Sequence, residues 1–150
     1  MSCELITIGR QTVQPGRDVI FSEASVPCTS GLVKFNPGTG AVQLSGNVAG
    51  NWCGCPCRNN TVKYEVDFGA NIAVSEGGTP GEISLGIAIG GSTDPSSIMI
   101  VTPAAAEEFW NVSRCKIVDV FRGCCQSFSI RNLSDQPIDL TGGSVKLKLA

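Results

Sequence analysis

The chain reads VKYEVDF over residues 62–68, and apolar and charged side chains alternate strictly through these seven positions. Successive side chains of a β-strand point to opposite faces, so this alternation predicts a strand with one buried and one exposed face. The same period of two recurs in ISLGIAI over residues 83–89 and in SVKLKL over residues 144–149. These segments decide the fold class, which we predict to be all-β.

Shorter segments with the same alternation fill much of the remaining chain. They lie at residues 5–8, 18–21, 32–35, 41–44, 71–74, 98–101, 117–121, 127–130 and 138–140. Pro-Gly and Gly-Gly pairs stand between many of them, where tight turns need a fixed or a positive φ. About a dozen short strands are typical of a sandwich or jelly roll. Residues 102–108 alone have helical features, and we expect a connection of one or two helical turns there.

Composition limits the function. The chain has 150 residues, which fits one domain, and only 16% of them are charged. Low charge suits a surface that is partly covered by other copies of the chain. There is no histidine, which excludes His-based triads and His-ligated zinc. The carboxylates are scattered and no nucleophile or nucleotide motif is present, so we predict a protein that is not an enzyme and needs no cofactor.

Charge and hydropathy also limit the partners and the location. The formal net charge is −2, so we expect no nucleic-acid partner. No apolar run approaches the ~20 residues that span a bilayer, and the first residues lack the features of a signal peptide. We therefore expect no membrane association and no classical secretion.

The eight cysteines fit a protein made in a cytoplasm and oxidised after release in a particle. The alternative is a protein of an anaerobe with free thiols.

The most unusual motif is Cys53-Gly54-Cys55-Pro56-Cys57, within residues 47–60, which we predict to be a long loop. Zinc sites normally combine two pairs of cysteines spaced two to four residues apart. We favour disulfides within or between chains for this cluster, and a soft metal or free thiols are the alternatives.

The other five cysteines are also candidates for disulfides or cross-links. Cys3 lies on a predicted N-terminal arm, where it either bonds a neighbouring subunit or remains an unpaired thiol. Cys124 and Cys125 are adjacent, and on a strand their side chains point to opposite faces. We expect one of them to be buried and the other to pair elsewhere. Cys28 and Cys115 are expected to pack as small apolar side chains.

The order of the segments is itself informative. They are TVQPGRDVIF (12–21), GAVQLSG (40–46), YEVDF (64–68), GEISLGIAIGG (81–91), IVDV (117–120), GCC (123–125), SFSIRN (127–132) and VKLKL (145–149). This order resembles the compact jelly roll of the C1q and tumour-necrosis-factor superfamily. It is most similar to the bacterial and phage branch, which includes C-terminal domains of collagen-like spore-surface proteins and small prophage proteins of gut Firmicutes.

The resemblance implies a homotrimer of ten-stranded antiparallel sandwiches. The jelly roll then covers residues 11–150, and residues 1–10 form an N-terminal arm or edge strand. In that family, apolar residues of the last strands and of the aromatic strand line the three-fold axis. The candidates by position for the trimer axis or the core are Tyr64, Val66, Phe68, Val145, Leu147 and Leu149. The chain lacks a collagen repeat and a matching calcium cluster, which favours a free-standing module.

We therefore expect a structural protein of a phage particle, a trimeric capsid decoration or head-fibre protein on the virion surface. Its partners are further copies of itself and a capsid or other particle protein. One alternative is a disulfide-cross-linked subunit of a filament on a bacterial cell or spore. Another is a receptor- or glycan-binding module at a fibre tip, in which Trp52 and Trp110 stack against the ligand.

Overall fold

The structure, a computed structural model, describes residues 2–29, 31–46, 61–123 and 125–150. Within these ranges the chain forms twelve β-strands and one short 3-10 turn (Pro95–Ser97). The strands are β1 (Ser2–Ile6), β2 (Gln11–Val13), β3 (Glu23–Val26), β4 (Val33–Asn36), β5 (Ala41–Ser45), β6 (Thr61–Val74), β7 (Ile83–Ile89), β8 (Ser92–Thr93), β9 (Met99–Val101), β10 (Trp110–Phe121), β11 (Cys125–Asn132) and β12 (Ile138–Leu149). The predicted all-β class is confirmed.

The strands form two sheets, and every pairing between strands is antiparallel. Sheet A has the order β10-β6-β12-β1-β3, and β2 also pairs with β12. Sheet B has the order β4-β5-β11-β7-β8, and β9 also pairs with β7. The first and last strands are neighbours, so both ends of the chain belong to one sheet. Among the described residues, no helix is long and apolar enough to cross a membrane.

The core lies between the two sheets and follows the alternation seen in the sequence. In β6, Val62, Tyr64, Val66 and Phe68 are buried, whereas the charged residues between them face outward. The hydroxyl of Tyr64 donates to the backbone oxygen of Ser45 at 2.6 Å, so the only polar atom of this side chain is satisfied inside the sandwich. The register predicted for this strand is therefore confirmed.

Two strands are longer than the sequence pattern predicts. β6 continues through Gly69 to residue 74, and β12 joins the two predicted segments 138–140 and 144–149 into one strand. The Gly142-Gly143 pair is a β-bulge within β12 rather than a turn. The register shifts between Thr141 and Ser144, and Gly142 has a φ of 60°. A bulge adds a residue to one strand without ending its pairing, which local alternation does not reveal.

The N-terminal segment is neither an arm nor an edge strand, contrary to expectation. β1 pairs with β12 on one side and with β3 on the other, and Cys3 and Leu5 are fully buried. Burying these two side chains removes apolar surface from water, which favours a place inside the sheet. The jelly roll therefore includes β1.

The predicted helical connection is also wrong. Residues 102–109 contain only bends and a turn. Glu107 has a φ of 62°, which is incompatible with a right-handed helix. Its N–H donates instead to the backbone oxygen of Val74 at 2.8 Å, which joins this connection to the end of β6.

Cys3 in β1 forms a disulfide with Cys28, which follows β3. Cys28 is therefore not a free apolar side chain, and Cys3 does not reach a neighbouring subunit. The antiparallel pairing of β1 with β3 brings the two Cα atoms to 4.8 Å, within the range that a disulfide spans. The bond thus closes a loop around the edge of sheet A.

We predict that Cys28→Ser destabilises the oxidised protein by about 3 kcal/mol, because the cross-link constrains the unfolded chain between residues 25 positions apart. Urea unfolding without reductant measures the difference. Cys115→Ser, which replaces an exposed thiol, is the control and should change stability by no more than about 0.5 kcal/mol. Alkylation of Cys3 in the unfolded, unreduced wild-type protein would contradict the pairing.

Candidate functional site

The outer face of sheet A carries a ladder of alternating charges. Glu4 on β1 lies opposite Lys146 on β12, and Lys146 lies opposite Asp67 on β6. One step along the strands, the Lys148 ammonium is 3.3 Å from the Glu65 carboxylate. Opposite charges on neighbouring strands attract each other, so the centre of this face balances its own charge.

β10 is an edge strand of sheet A, and its outward positions include exposed apolar side chains. Ile117 is 53% exposed and Phe121 is 65% exposed. Between them Asp119 forms a surface ion pair with Lys63 at 2.7 Å. Exposed apolar side chains that share one face of a sheet can mark a surface that another protein covers, whereas single ones are common on soluble proteins. We call Ile117 and Phe121 the β10 patch, and the outer face of sheet A with this patch is the candidate functional surface.

The six candidates for the trimer axis or the core divide into two groups. Tyr64, Val66, Phe68, Val145 and Leu147 are fully buried between the sheets of one chain, and Leu149 is 37% exposed. A side chain that lines an axis between subunits has to be exposed in the isolated chain. The five buried residues are therefore core residues, and of the six only Leu149 is available to a second chain.

The remaining cysteines do not assemble into a site in the described part of the chain. Cys115 is exposed on the outer face of sheet A, opposite Asp67, rather than packed as a small apolar side chain. Cys125 is partly buried at the start of β11. Residues 2–29, 31–46, 61–123 and 125–150 hold no group of three potential metal ligands. Five candidates lie outside the described residues: Cys53, Cys55, Cys57, Cys124 and Trp52.

A buried carboxylate joins three segments at one end of sheet A. Asp139 in β12 is 3% exposed and accepts hydrogen bonds from the Arg10 guanidinium, from Thr12 Oγ1 at 2.7 Å and from Ser75 Oγ at 2.8 Å. The sequence places Asp139 among scattered outward carboxylates, because it alternates with Ile138 and Leu140. β2 and the residues before it cover this outward position, which the alternation alone does not reveal.

Arg10 extends this cluster to the connection before β10. Its Nη2 donates to Glu107 at 2.7 Å, and the guanidinium lies 5.3 Å from the centre of the Phe109 ring. Next along the chain, the Trp110 indole N–H donates to Glu108 at 2.8 Å, and the ring is half exposed. The cluster therefore holds the start of the strand that carries the β10 patch. A ligand-stacking role for Trp110 stays a prediction.

The electrostatics of the cluster favour the charged form of both partners. Burial raises the pKa of Asp139, but the hydrogen bonds from Arg10, Thr12 and Ser75 lower it by more, so the pKa lies below its ordinary value. Hydrogen bonds to Asp139 and Glu107 raise the pKa of Arg10. The carboxylate thus remains ionised and paired, which suits a structural clamp and not a proton donor.

Two solved structures share this arrangement of strands. The globular domain of zebrafish complement 1qA protein aligns with 99% of this chain and 95% of its own, with a TM-score of 0.61 and 13% identity. Eiger TNF from S. frugiperda aligns with 100% of this chain and 92% of its own, with a TM-score of 0.56 and 11% identity. The chain has the C1q/TNF jelly-roll fold.

The likeness confirms the jelly-roll fold expected from the sequence, but the described residues form twelve strands and not the expected ten. No protein-family model and no curated protein matches the chain. Membership of the bacterial and phage branch, the homotrimer and the particle context therefore stay predictions.

We predict that Asp139→Asn destabilises the protein by about 2 kcal/mol at pH 7, because the Arg10 guanidinium loses a charged partner. The pKa of Asp139 is lower in the folded chain than its unfolded value near 3.9. Its stabilising effect is therefore present above that pH and is lost as the pH falls through the folded-state pKa. Urea unfolding of both proteins from pH 7 to pH 3 should show their difference shrinking at the acidic end.

Asp135→Asn is the matched control, since Asp135 is exposed and has no ion pair among the described residues. It should leave the midpoint unchanged at every pH. A difference between wild type and Asp139→Asn that is the same at pH 7 and pH 3 would show that the charge of Asp139 is not what stabilises the fold.

Proposed function

We propose that the chain is a non-enzymatic structural module that assembles as a homotrimer and is displayed on a phage particle, as a capsid decoration or head-fibre protein. The observation that carries the proposal is the exposure of Ile117 and Phe121 on the edge strand of a sheet face whose centre carries a ladder of charges. The fold shared with C1q and TNF domains supports the same proposal, because the resemblance implies a trimer.

The contact we propose is heterologous, with the β10 patch of one subunit packed against sheet A of the next. Val26 on β3, at the opposite edge of sheet A from β10, is also an exposed apolar residue. A contact between two different surfaces closes into a ring when each copy is rotated by one third of a turn. Leu149 adds a partly exposed apolar side chain at the end of β12, beside β6.

Display on a particle is supported by composition and architecture. Few residues are charged, which suits a surface that its own copies and a capsid protein cover in part. A jelly roll leaves few exposed strand edges, so many copies remain close together without edge-to-edge aggregation. The virion surface is thus the location we propose. The disulfide-linked filament of a cell or spore surface is less supported, because Cys3 bonds Cys28 within the chain.

We predict that Ile117→Glu converts the trimer to a monomer, since a buried and unpaired carboxylate disfavours the subunit contact. Light scattering, with and without reductant, should give the mass of three chains for wild type in both conditions. Ile100→Glu is the matched control, because Ile100 is 55% exposed but lies on β9 in sheet B. A trimeric Ile117→Glu protein would contradict the proposed contact. Large species that collapse on reduction would favour the filament.

We predict further that tryptic peptides of this chain are present in phage particles induced from its host and purified on a density gradient. The peptides should follow the major capsid protein through the gradient in a constant ratio, as a decoration protein does. Peptides found only in the cell-wall or spore fraction would contradict the particle assignment and leave the trimer test unaffected.

A further inference from the structure

A cleft of about 550 Å³ lies where β11 changes its neighbour, and residues of sheet B and of β2 in sheet A both line it. β5 pairs with β11 as far as Phe128, and residues 16–19 then take the place of β5. There Val19 N–H donates to the backbone oxygen of Ile130 at 2.7 Å. The cleft lies at this junction, and both β5 and the segment 17–20 line it. Its volume is within the range of sites for small ligands.

The cleft combines an apolar surface with polar groups that are not used elsewhere. Ile20 is 57% exposed at the wall, and Val42 and Phe128 are buried beneath. Gln43 and Ser129 also line the cleft, and neither side chain has a hydrogen-bond partner among the described residues. An apolar wall beside free hydroxyl and amide groups suits a ring with C–H faces and several hydroxyls.

Among the described residues, the cleft carries one cation without an ion pair. Arg131 Nε donates to Asp18 at 3.0 Å and Nη1 donates to the backbone oxygen of Gly91 at 2.9 Å, so its charge is balanced. Arg17 lines the same cleft, is exposed, and has no ion pair or side-chain hydrogen bond in the described part of the chain. A planar guanidinium with free N–H groups matches the two oxygens of a carboxylate.

We propose that this cleft binds a carboxylated sugar, such as a uronic acid unit of a polysaccharide. Arg17 would pair with the carboxylate, Gln43 and Ser129 would bond ring hydroxyls, and Ile20 would contact the apolar face of the ring. The site goes beyond the structural role and does not depend on the trimer, because no residue of β10 lines the cleft. Trp110 does not line it.

Isothermal titration tests the proposal with short oligomers of galacturonic and of glucuronic acid, each compared with its neutral counterpart. We expect wild type to bind at least one acidic oligomer and to bind the neutral sugar more weakly. Arg17→Ala should weaken the acidic ligand about tenfold or more, as loss of a charge-assisted pair does. Lys34→Ala is the matched control, because it removes one exposed positive charge outside the cleft and should keep the affinity.

Ser129→Trp is a second variant, designed to fill the cleft and abolish binding, and circular dichroism checks its fold. If Ser129→Trp fails to fold, Arg17→Ala still tests the ligand site, because Arg17 is exposed and its substitution should leave the fold intact. The proposal is overturned if wild type binds neither acidic oligomer, if Arg17→Ala binds as tightly as wild type, or if the neutral sugar binds equally well. Light scattering of the same samples measures the oligomeric state independently of ligand binding. A failure of the trimer proposal is therefore distinguished from a failure of the ligand proposal.

Discussion

β6 pairs with β10 along one side and with β12 along the other, and its buried face meets sheet B. Val66 and Phe68 are fully buried there, and burial of such a side chain contributes about 2 kcal/mol. A shift of β6 by one residue would expose the buried side chains of Val62, Tyr64, Val66 and Phe68 at once. The register of β6 therefore fixes the registers of β10 and β12, which pair with it. Through β12 it also fixes the positions of β1 and β2.

The same constraint determines what the outer face of sheet A presents. Because the apolar positions of β6 face inward, the charged positions face outward and lie opposite the lysines of β12. On β10 the outward positions include Ile117 and Phe121, which are both more than half exposed. The surface proposed for assembly is therefore a consequence of the core register. The Asp139 cluster fixes the connection that leads into β10, so it helps to position the strand that carries this surface.

Strong local alternation made β6, β7 and the last half of β12 predictable, because most of the alternating large apolar side chains of each lie in the core. Features that depend on chain topology were not predictable. The Cys3–Cys28 disulfide requires β1 to lie beside β3, and Asp139 becomes buried because residues from another part of the chain cover it. The turn at Glu107 forms in place of a helix through a contact with Val74. The cleft forms where β11 changes its pairing partner, a feature that the local sequence pattern does not predict.

Two surfaces with different chemistry thus lie on different parts of one small sandwich. Sheet A combines self-balanced charge with exposed apolar residues, a composition suited to a second copy of the chain. In the described part of the chain, the cleft has hydrogen-bonding groups without partners and one guanidinium without an ion pair, a composition suited to a small anionic ligand. In a ring whose contacts leave β2 and sheet B uncovered, each subunit keeps its cleft open to solvent. A trimer would then present three equivalent clefts, and a polysaccharide that reaches more than one of them would bind with a higher effective concentration.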